Sequence, residues 1–475
     1  MKNHNLKFKL LIIPFILFGI FFFAKSSLAA NHYIRAGATG ANNGTSWTDA
    51  WTRFGAISSA NWVRGDTYYV AGGIYTENVS IPSKSGTNWI IIKKANASDN
   101  GADTGWDSSY ATTQAVINGN FTSLTGYIEL NGVTGSGTSG HGIKIHPSTS
   151  LSVVVLGNGT GPHHLYHLDV EGPGFDYGSL GTDGIYYNIG TKGFHVSDSY
   201  IHEIPRNGIS IGTSAGTSWS DYGTLFENNI IERTGGVGIA YPDIHGQGMQ
   251  IGYASTDSYL IIRNNIFKNI IGSAMIAYLG GTASHTYSRI YNNIFYITDL
   301  DTYEIISPGV IWTNSAGGAV TDYFYIYNNT FYNLGDGSHA YVNGKILLSS
   351  SGTITTAEAK NNLWVNSRFG YLGHIGLTVK SNNDYYGNTG YVPTGETNQV
   401  AESSNPFTNS VSYDFTLKPT ANAVNTGTNL SSIFTTDKDG ATRLNWSIGA
   451  YEYAGGSPPP ADINPPSAPS GVEVQ

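Results

Sequence analysis

Two short stretches of this chain gather the side chains that could do chemistry. The first is His202-Glu203-Ile204-Pro205-Arg206-Asn207-Gly208; the second is Glu232-Arg233 followed by Tyr241-Pro242-Asp243-Ile244-His245-Gly246-Gln247-Gly248. Imidazoles and guanidiniums with few carboxylates suit proton abstraction beside a carboxylate. Arg206 or Arg233 would hold that carboxylate bidentately while His245 or His202 takes the proton. Calcium bound by Asp243 and Asp183 would replace or assist the arginine. Glycoside hydrolysis needs two carboxyl groups across the scissile bond, and Glu203 or Glu232 paired with Asp243 are the candidates. Tyr241, Asn207 and Gln247 would line the same site. Plainer roles compete with each of these: Glu203 with Arg206, and Glu232 with Arg233, have the spacing of surface ion pairs.

The elements that position these residues are announced by a repeated phrase. It runs Asn228-Asn229-Ile230, Asn264-Asn265-Ile266, Asn292-Asn293-Ile294, Asn328-Asn329-Thr330, Asn361-Asn362-Leu363 and Asn382-Asn383-Asp384, at steps of 36, 28, 36, 33 and 21 residues. Such spacing is that of a solenoid. Alternating runs such as Tyr259-Leu260-Ile261-Ile262-Arg263 precede the phrase. A second strand family opens at Gly184, Gly208, Gly248, Ala274, Val310 and Lys345. No amphipathic helix separates the two families, which predicts an all-β parallel β-helix with rungs about 4.8 Å apart. The asparagines would satisfy backbone groups at the bends and stack into a ladder. In this register Asp183, Asn207 and Gln247 each precede a strand-opening residue and should form one polar column. The step from Gly208 to Gly248 is 40 residues, against 24 before and 26 after, so this coil carries an insertion.

Residues 1–29 read as a signal peptide: Lys2, Lys7 and Lys9, an apolar run over 10–24, then Ser27-Leu28-Ala29. The run is short for a membrane span. Secretion to the extracellular side follows as an expectation, and a chain without cysteine has no disulfide framework. A net charge of −9 with only 24 Lys plus Arg argues against nucleic acid as a partner. Sixty glycines and 13% aromatic residues fit a turn-rich all-β chain.

Tyr33-Ile34-Arg35-Ala36-Gly37, Gly44-Thr45-Ser46-Trp47, Arg64-Gly65-Asp66-Thr67-Tyr68 and Val116-Ile117-Asn118-Gly119 resemble the opening of secreted right-handed parallel β-helix proteins of the pectate-lyase-like superfamily. That resemblance implies a short capping helix over the open solenoid end, here at 47–56 with Ser46 as N-cap. Asp437-Lys438-Asp439-Gly440 through Ser447-Ile448-Gly449-Ala450-Tyr451 is similar to a closing segment of the same group, with Asp437 to Gly440 read as a turn. The β-helix would occupy 30–454. Residues 455–475 read as a Pro-rich linker, and Asp462-Ile463-Asn464-Pro465-Pro466 resembles the start of a fibronectin type III domain.

The resemblance places chemistry in a groove on the outer face of one sheet. A monomer that binds an extracellular polysaccharide is expected; the fold names no reaction, and β-elimination of a uronate polymer is preferred because arginine and histidine sit together with few carboxylates. A glycoside hydrolase and a non-catalytic adhesin or stalk are the alternatives. Two weaker clusters compete for the site. Gly140-His141-Gly142 matches one polygalacturonase-type motif whose companion motifs are missing. In His163-His164-x-x-His167-x-Asp169, strand alternation splits His164 from His163 and His167.

Overall fold

A computed structural model describes residues 29–453 and 455, apart from 150–151, 158–160, 176–180, 188–191, 213–214, 237–245, 253–256, 273, 280–283, 299–308, 316–319, 336–343, 351–352, 370–373 and 454. The expected signal segment and the fibronectin-like start lie outside the described residues.

Each coil visits three sheets in the order A, B, C. Sheet A has 13 strands, running from Asn31–Ile34 to Val379–Ser381; sheet B has 12, from Gly73–Tyr75 to Val400–Ala401. Sheet C has nine, from Val79–Ile81 to Ile346–Ser350. All pairings between coils are parallel, as in Thr224↔Leu260 and Ile230↔Ile266, so the chain has the architecture of a right-handed parallel β-helix. The strands alternate because inward positions are apolar and outward ones are not: Ile143–Ile145, Val154–Leu156 and Ile185–Tyr187 each bury their first and third residues. The second strand family read from the sequence is sheet C. The phrase that seemed one unit is divided, with its asparagines at the A–B bend and its apolar tail in sheet B.

At that bend the two asparagines of each phrase do different jobs. The first is left-handed, with φ between 48° and 59° at Asn228, Asn264, Asn292, Asn328, Asn361 and Asn382. The second points inward. Asn229, Asn265, Asn293, Asn329 and Asn362 each donate from Nδ2 to Oδ1 of the next in line, at 3.0–3.1 Å. Each also donates to a carbonyl of the preceding coil, such as Ile262 O at 2.9 Å from Asn293. The ladder ends on a carboxylate, where Asn383 Nδ2 donates to Glu396 Oε2 at 2.8 Å. Inside sheet B, Phe267, Phe295, Phe331, Trp364 and Tyr385 stack at 4.6–5.3 Å.

The N-terminal cap is built otherwise than expected. Ser46 Oγ does accept the Asp49 amide at 3.0 Å, yet residues 47–49, 52 and 53 are bends, Trp51 bridges Ile34, and only Phe54–Ala56 forms a 3-10 turn. The carbonyls a helix would use are engaged elsewhere: Thr48 O accepts Gly40 N, Asp49 O accepts Asn43 N and Gly44 N, and Trp51 O accepts Arg35 N. Trp51, Phe54, Ile57 and Trp62 still cover the first coil as part of the central core.

Residues 405–453 return as a strap over the outer faces of sheets A and B. Phe407, Phe415, Leu417, Ile448 and Ala450 cover Ile294, Tyr296, Leu363 and Val365 of sheet B. Leu430, Phe434 and Trp446 pack on Leu225, Ile261, Tyr291 and Tyr327 of sheet A. The outward asparagines receive it: Asn382 Nδ2 donates to Thr426 O and Asn361 Nδ2 to Thr428 O, while Asn328 Nδ2 reaches Ser447 O and Asn292 Nδ2 reaches Thr436 O. The segment from Asp437 to Gly440 is the expected turn, with Asp437 Oδ1 accepting from Asp439 N and Ala441 N.

Candidate functional site

The strap leaves one stretch of sheet B uncovered, over strands Ile143–Ile145, Leu168–Glu171, Tyr200–Ile204, Ile230–Thr234 and Ile266–Ile270. Parallel register brings outward residues of successive coils into two columns. One is Lys144, Asp169, Tyr200; the other contains Glu171, His202, Glu232 and Lys268. Tyr296 follows Lys268 in the second column and lies under the strap against Phe415 at 5.2 Å, so the strap's edge ends the open stretch.

His202 Nε2 lies 2.9 Å from Asp169 Oδ1. Tyr200 stacks on the His202 ring at 3.9 Å and 11°, and its hydroxyl donates to Glu232 Oε2 at 2.9 Å. Lys268 Nζ is 2.5 Å from Glu232 Oε1. The Lys144 ammonium lies on Glu171 and 3.7 Å from Asp169 Oδ2. Burial works against the Asp169 carboxylate, but its bond from His202, with the charges of His202, Lys144 and His141, outweighs that and holds its pKa below the usual carboxylate range. Burial raises the Tyr200 hydroxyl, and the Glu232 carboxylate beside it raises it further.

Asp169, Glu171 and His202 each offer one ligand atom within 4.8 Å of the other two, the one such group among the described residues. Two carboxylates and an imidazole are a mixed donor set, and calcium favours oxygen alone. The Lys144 ammonium supplies the cation at this spot, so a divalent ion would have to displace it.

The residues expected from the sequence divide between three places. His202 belongs to this face. Glu203 and Arg233 sit beside it at a bulge, with φ of 56° and 52°, and pair across coils at 2.5 Å. The Arg233 guanidinium lies 4.8 Å from the Phe175 ring. Arg206 and Asp183 form a second cross-coil pair, with Nε to Oδ1 at 2.8 Å and a second nitrogen to Oδ2 at 2.5 Å. The expected pairs Glu203–Arg206 and Glu232–Arg233 are therefore replaced by partners one coil away. Neighbours three apart on a helix would meet, but in a solenoid the lateral neighbour belongs to the next rung.

The column of Asp183, Asn207 and Gln247 exists, with Asn207 N donating to Asp183 Oδ1 at 3.2 Å and Gln247 N to Asn207 Oδ1 at 3.0 Å. All three are 0–1% exposed, so the column is a seam of the fold. With both oxygens on the Arg206 guanidinium, Asp183 is held as a structural counter-ion; Tyr241, Asp243 and His245 lie outside the described residues.

Sequence reasoning missed Lys144, Glu171, Tyr200 and Lys268, and treated Asp169 only as part of a histidine cluster. The available signal was the pair spacing Lys144-x-His146, Asp169-x-Glu171, Tyr200-x-His202, which places polar groups on one outer face in three successive coils. The histidine cluster separates as alternation demands. His163 is buried on Thr125 O at 2.9 Å, and His164 faces outward against Trp89 at 4.2 Å. His141 of the Gly-His-Gly phrase is buried on Asp198 O at 3.1 Å.

No family model and no curated protein matches the chain. Solved structures do. A pectate lyase, Pel9A, is 14% identical with TM-score 0.46, covering 90% of this chain and 97% of that one. An alginate lyase from Paenibacillus sp. str. FPU-7 is 15% identical with TM-score 0.37, covering 72% and 97%. The family 6 alginate lyase AlyGC is 12% identical with TM-score 0.38, covering 84% and 57%. At such identities no residue of those enzymes can be matched to one here.

Proposed function

We propose that this protein is a carbohydrate-active β-helix protein that binds an acidic extracellular polysaccharide across the open face of sheet B and cleaves it by β-elimination. The observation that carries this reading is the His202–Asp169 pair on an uncovered, charged face. With the proton on Nε2 donated to Asp169, the other imidazole nitrogen of His202 is left basic and oriented. It removes the proton beside the uronate carboxyl, the carbon–oxygen bond to the leaving sugar breaks as that oxygen takes a proton from water, and a carbon–carbon double bond forms. Lys144 stabilises the charge that develops on the carboxyl group, and Lys268 draws the anionic chain along the face. Tyr241, Asp243 and His245 belong to a segment whose ends, Gly236 and Gly246, lie near Phe175 and the Arg206 carbonyl.

The test is to incubate the protein with pectate, alginate and glycosaminoglycans and to follow both ultraviolet absorbance of unsaturated ends and new reducing ends. His202→Gln should lower turnover by about 10²–10⁴-fold while leaving binding within a few-fold. New reducing ends without absorbance would instead establish hydrolysis. Retained binding without any product would establish the adhesin reading.

A further inference from the structure

Asp384 stands out among the buried polar groups. It continues the outward column of sheet B between Leu363 and Val400, in the part the strap covers. It is 0% exposed, and neither side-chain oxygen meets a protein donor in good hydrogen-bond geometry. The amides of Tyr385 and Glu402 only approach it, and the group that acts on it most strongly is the Glu402 carboxylate. Glu402 is tied to the strap, since its Oε1 accepts the Ala423 amide at 2.8 Å and Asn422 Nδ2 donates to the neighbouring Ala401 carbonyl at 2.8 Å.

We propose that Asp384 and Glu402 share one proton, and that this proton fastens the 421–424 part of the strap to the last coils of the solenoid. Two carboxylates cannot both ionise at close range beneath a covering layer. A proton between them converts repulsion into a short hydrogen bond of the acid–carboxylate kind. Its removal leaves a buried Asp384 charge beside the half-buried Glu402 carboxylate, with the strap as the element free to move away.

The other charged groups nearby are already engaged. Glu396 acts on Tyr385 rather than on Asp384, with its oxygens taken by Asn383 and by the Tyr385 hydroxyl at 3.0 Å, and Lys380 acts on Glu396. On the strap, Arg443 and Glu452 pair with each other and Lys438 with Asp439. Burial and the Glu402 charge raise Asp384 to about 8.

The sign follows from linkage. The docked state holds a proton between the unfolded carboxylate value near pH 4 and about pH 8, so docking weakens as pH rises through that window and is flat above it.

Hydrogen exchange on peptides spanning 415–430, compared between wild type and Asp384→Asn at each pH, removes the intrinsic pH dependence of exchange. Between pH 6 and 8 the wild-type segment should lose roughly fifty-fold in protection relative to the variant, because asparagine donates to Glu402 at every pH. Glu402→Gln should flatten the profile as well, and serves if Asp384→Asn does not fold. Parallel profiles for wild type and both variants would overturn the proposal. So would tightening of the wild-type strap at pH 8 by calcium chloride and its reversal by a chelator, which would put a divalent cation where the proton is assigned.

Discussion

Replacing Asn293, at the middle of the ladder, separates a structural device from a decorative repeat. Its Oδ1 accepts the Asn265 amide at 2.9 Å and Asn265 Nδ2 at 3.0 Å, while its Nδ2 donates to Ile262 O, Tyr291 O and Asn329 Oδ1. In Asn293→Ala the buried Asn265 amide loses its acceptor, which costs about 1–3 kcal/mol, and the remaining bonds add about 1 kcal/mol net. The sum is about 3 kcal/mol. Asn293→Asp should be worse at neutral pH, because a carboxylate would face the Ile262 and Tyr291 carbonyls with no charge to balance it. Part of that loss should return on acidification as the carboxyl regains a proton. Urea unfolding followed by far-ultraviolet circular dichroism, with the outward Asn264→Ala as control, measures both. An alanine variant within 1 kcal/mol of wild type, or an aspartate variant no worse than alanine at pH 7, would refute the idea that the ladder holds the bend.

Further outcomes are expected elsewhere. Burial, with Arg64 nearby, lowers His163 to about 4, and its Nδ1 has no partner. The unfolded chain therefore takes up a proton below about pH 6.5 that the folded chain refuses, and stability present above that pH is lost as pH falls towards 4. At pH 5 this amounts to about 2 kcal/mol, and calorimetry of His163→Gln should show it missing. Arg443 is buried with Glu452 and donates to Asn292 Oδ1 and to the carbonyls of Gly449 and Ala450 at 2.9 Å. Arg443→Met should destabilise the strap by about 3–5 kcal/mol, seen as early proteolysis within 405–453. Tyr200→Phe removes one bond to Glu232 and should change product formation by less than about tenfold, whereas Lys144→Ala should abolish it; equal effects would move the site away from this face.

The sequence carried the solenoid plainly where one residue type recurs. Six strand starts of sheet C and the inward asparagines could be read because each makes the same contact once per coil. Sheet B stayed hidden inside the phrase because Ile266 or Ile294 follows its asparagine without a punctuating glycine. The strap could not be foreseen: its hold on Asn292, Asn328, Asn361 and Asn382 spans 44–144 residues with no shared pattern. Of the candidate site, His202 was legible as chemistry, but its partner Asp169 is 33 residues away. Arg206 and Glu203 look like a local pair in the text, and only stacking assigns them to Asp183 and Arg233.

The outward asparagines turn the strap into a gauge of length. Its contact points at Thr426, Thr428, Thr436 and Ser447 correspond to four fixed coils, so a coil inserted or deleted between Asn292 and Asn382 would misalign them by one rung, about 4.8 Å. Growth by duplication of coils is thereby free before the coil of Leu225, the first that the strap packs on, and penalised after it. The part of the open face from Lys144 to His202 lies on the permissive side of that boundary, where the groove lengthens or shortens without unfastening the end of the solenoid.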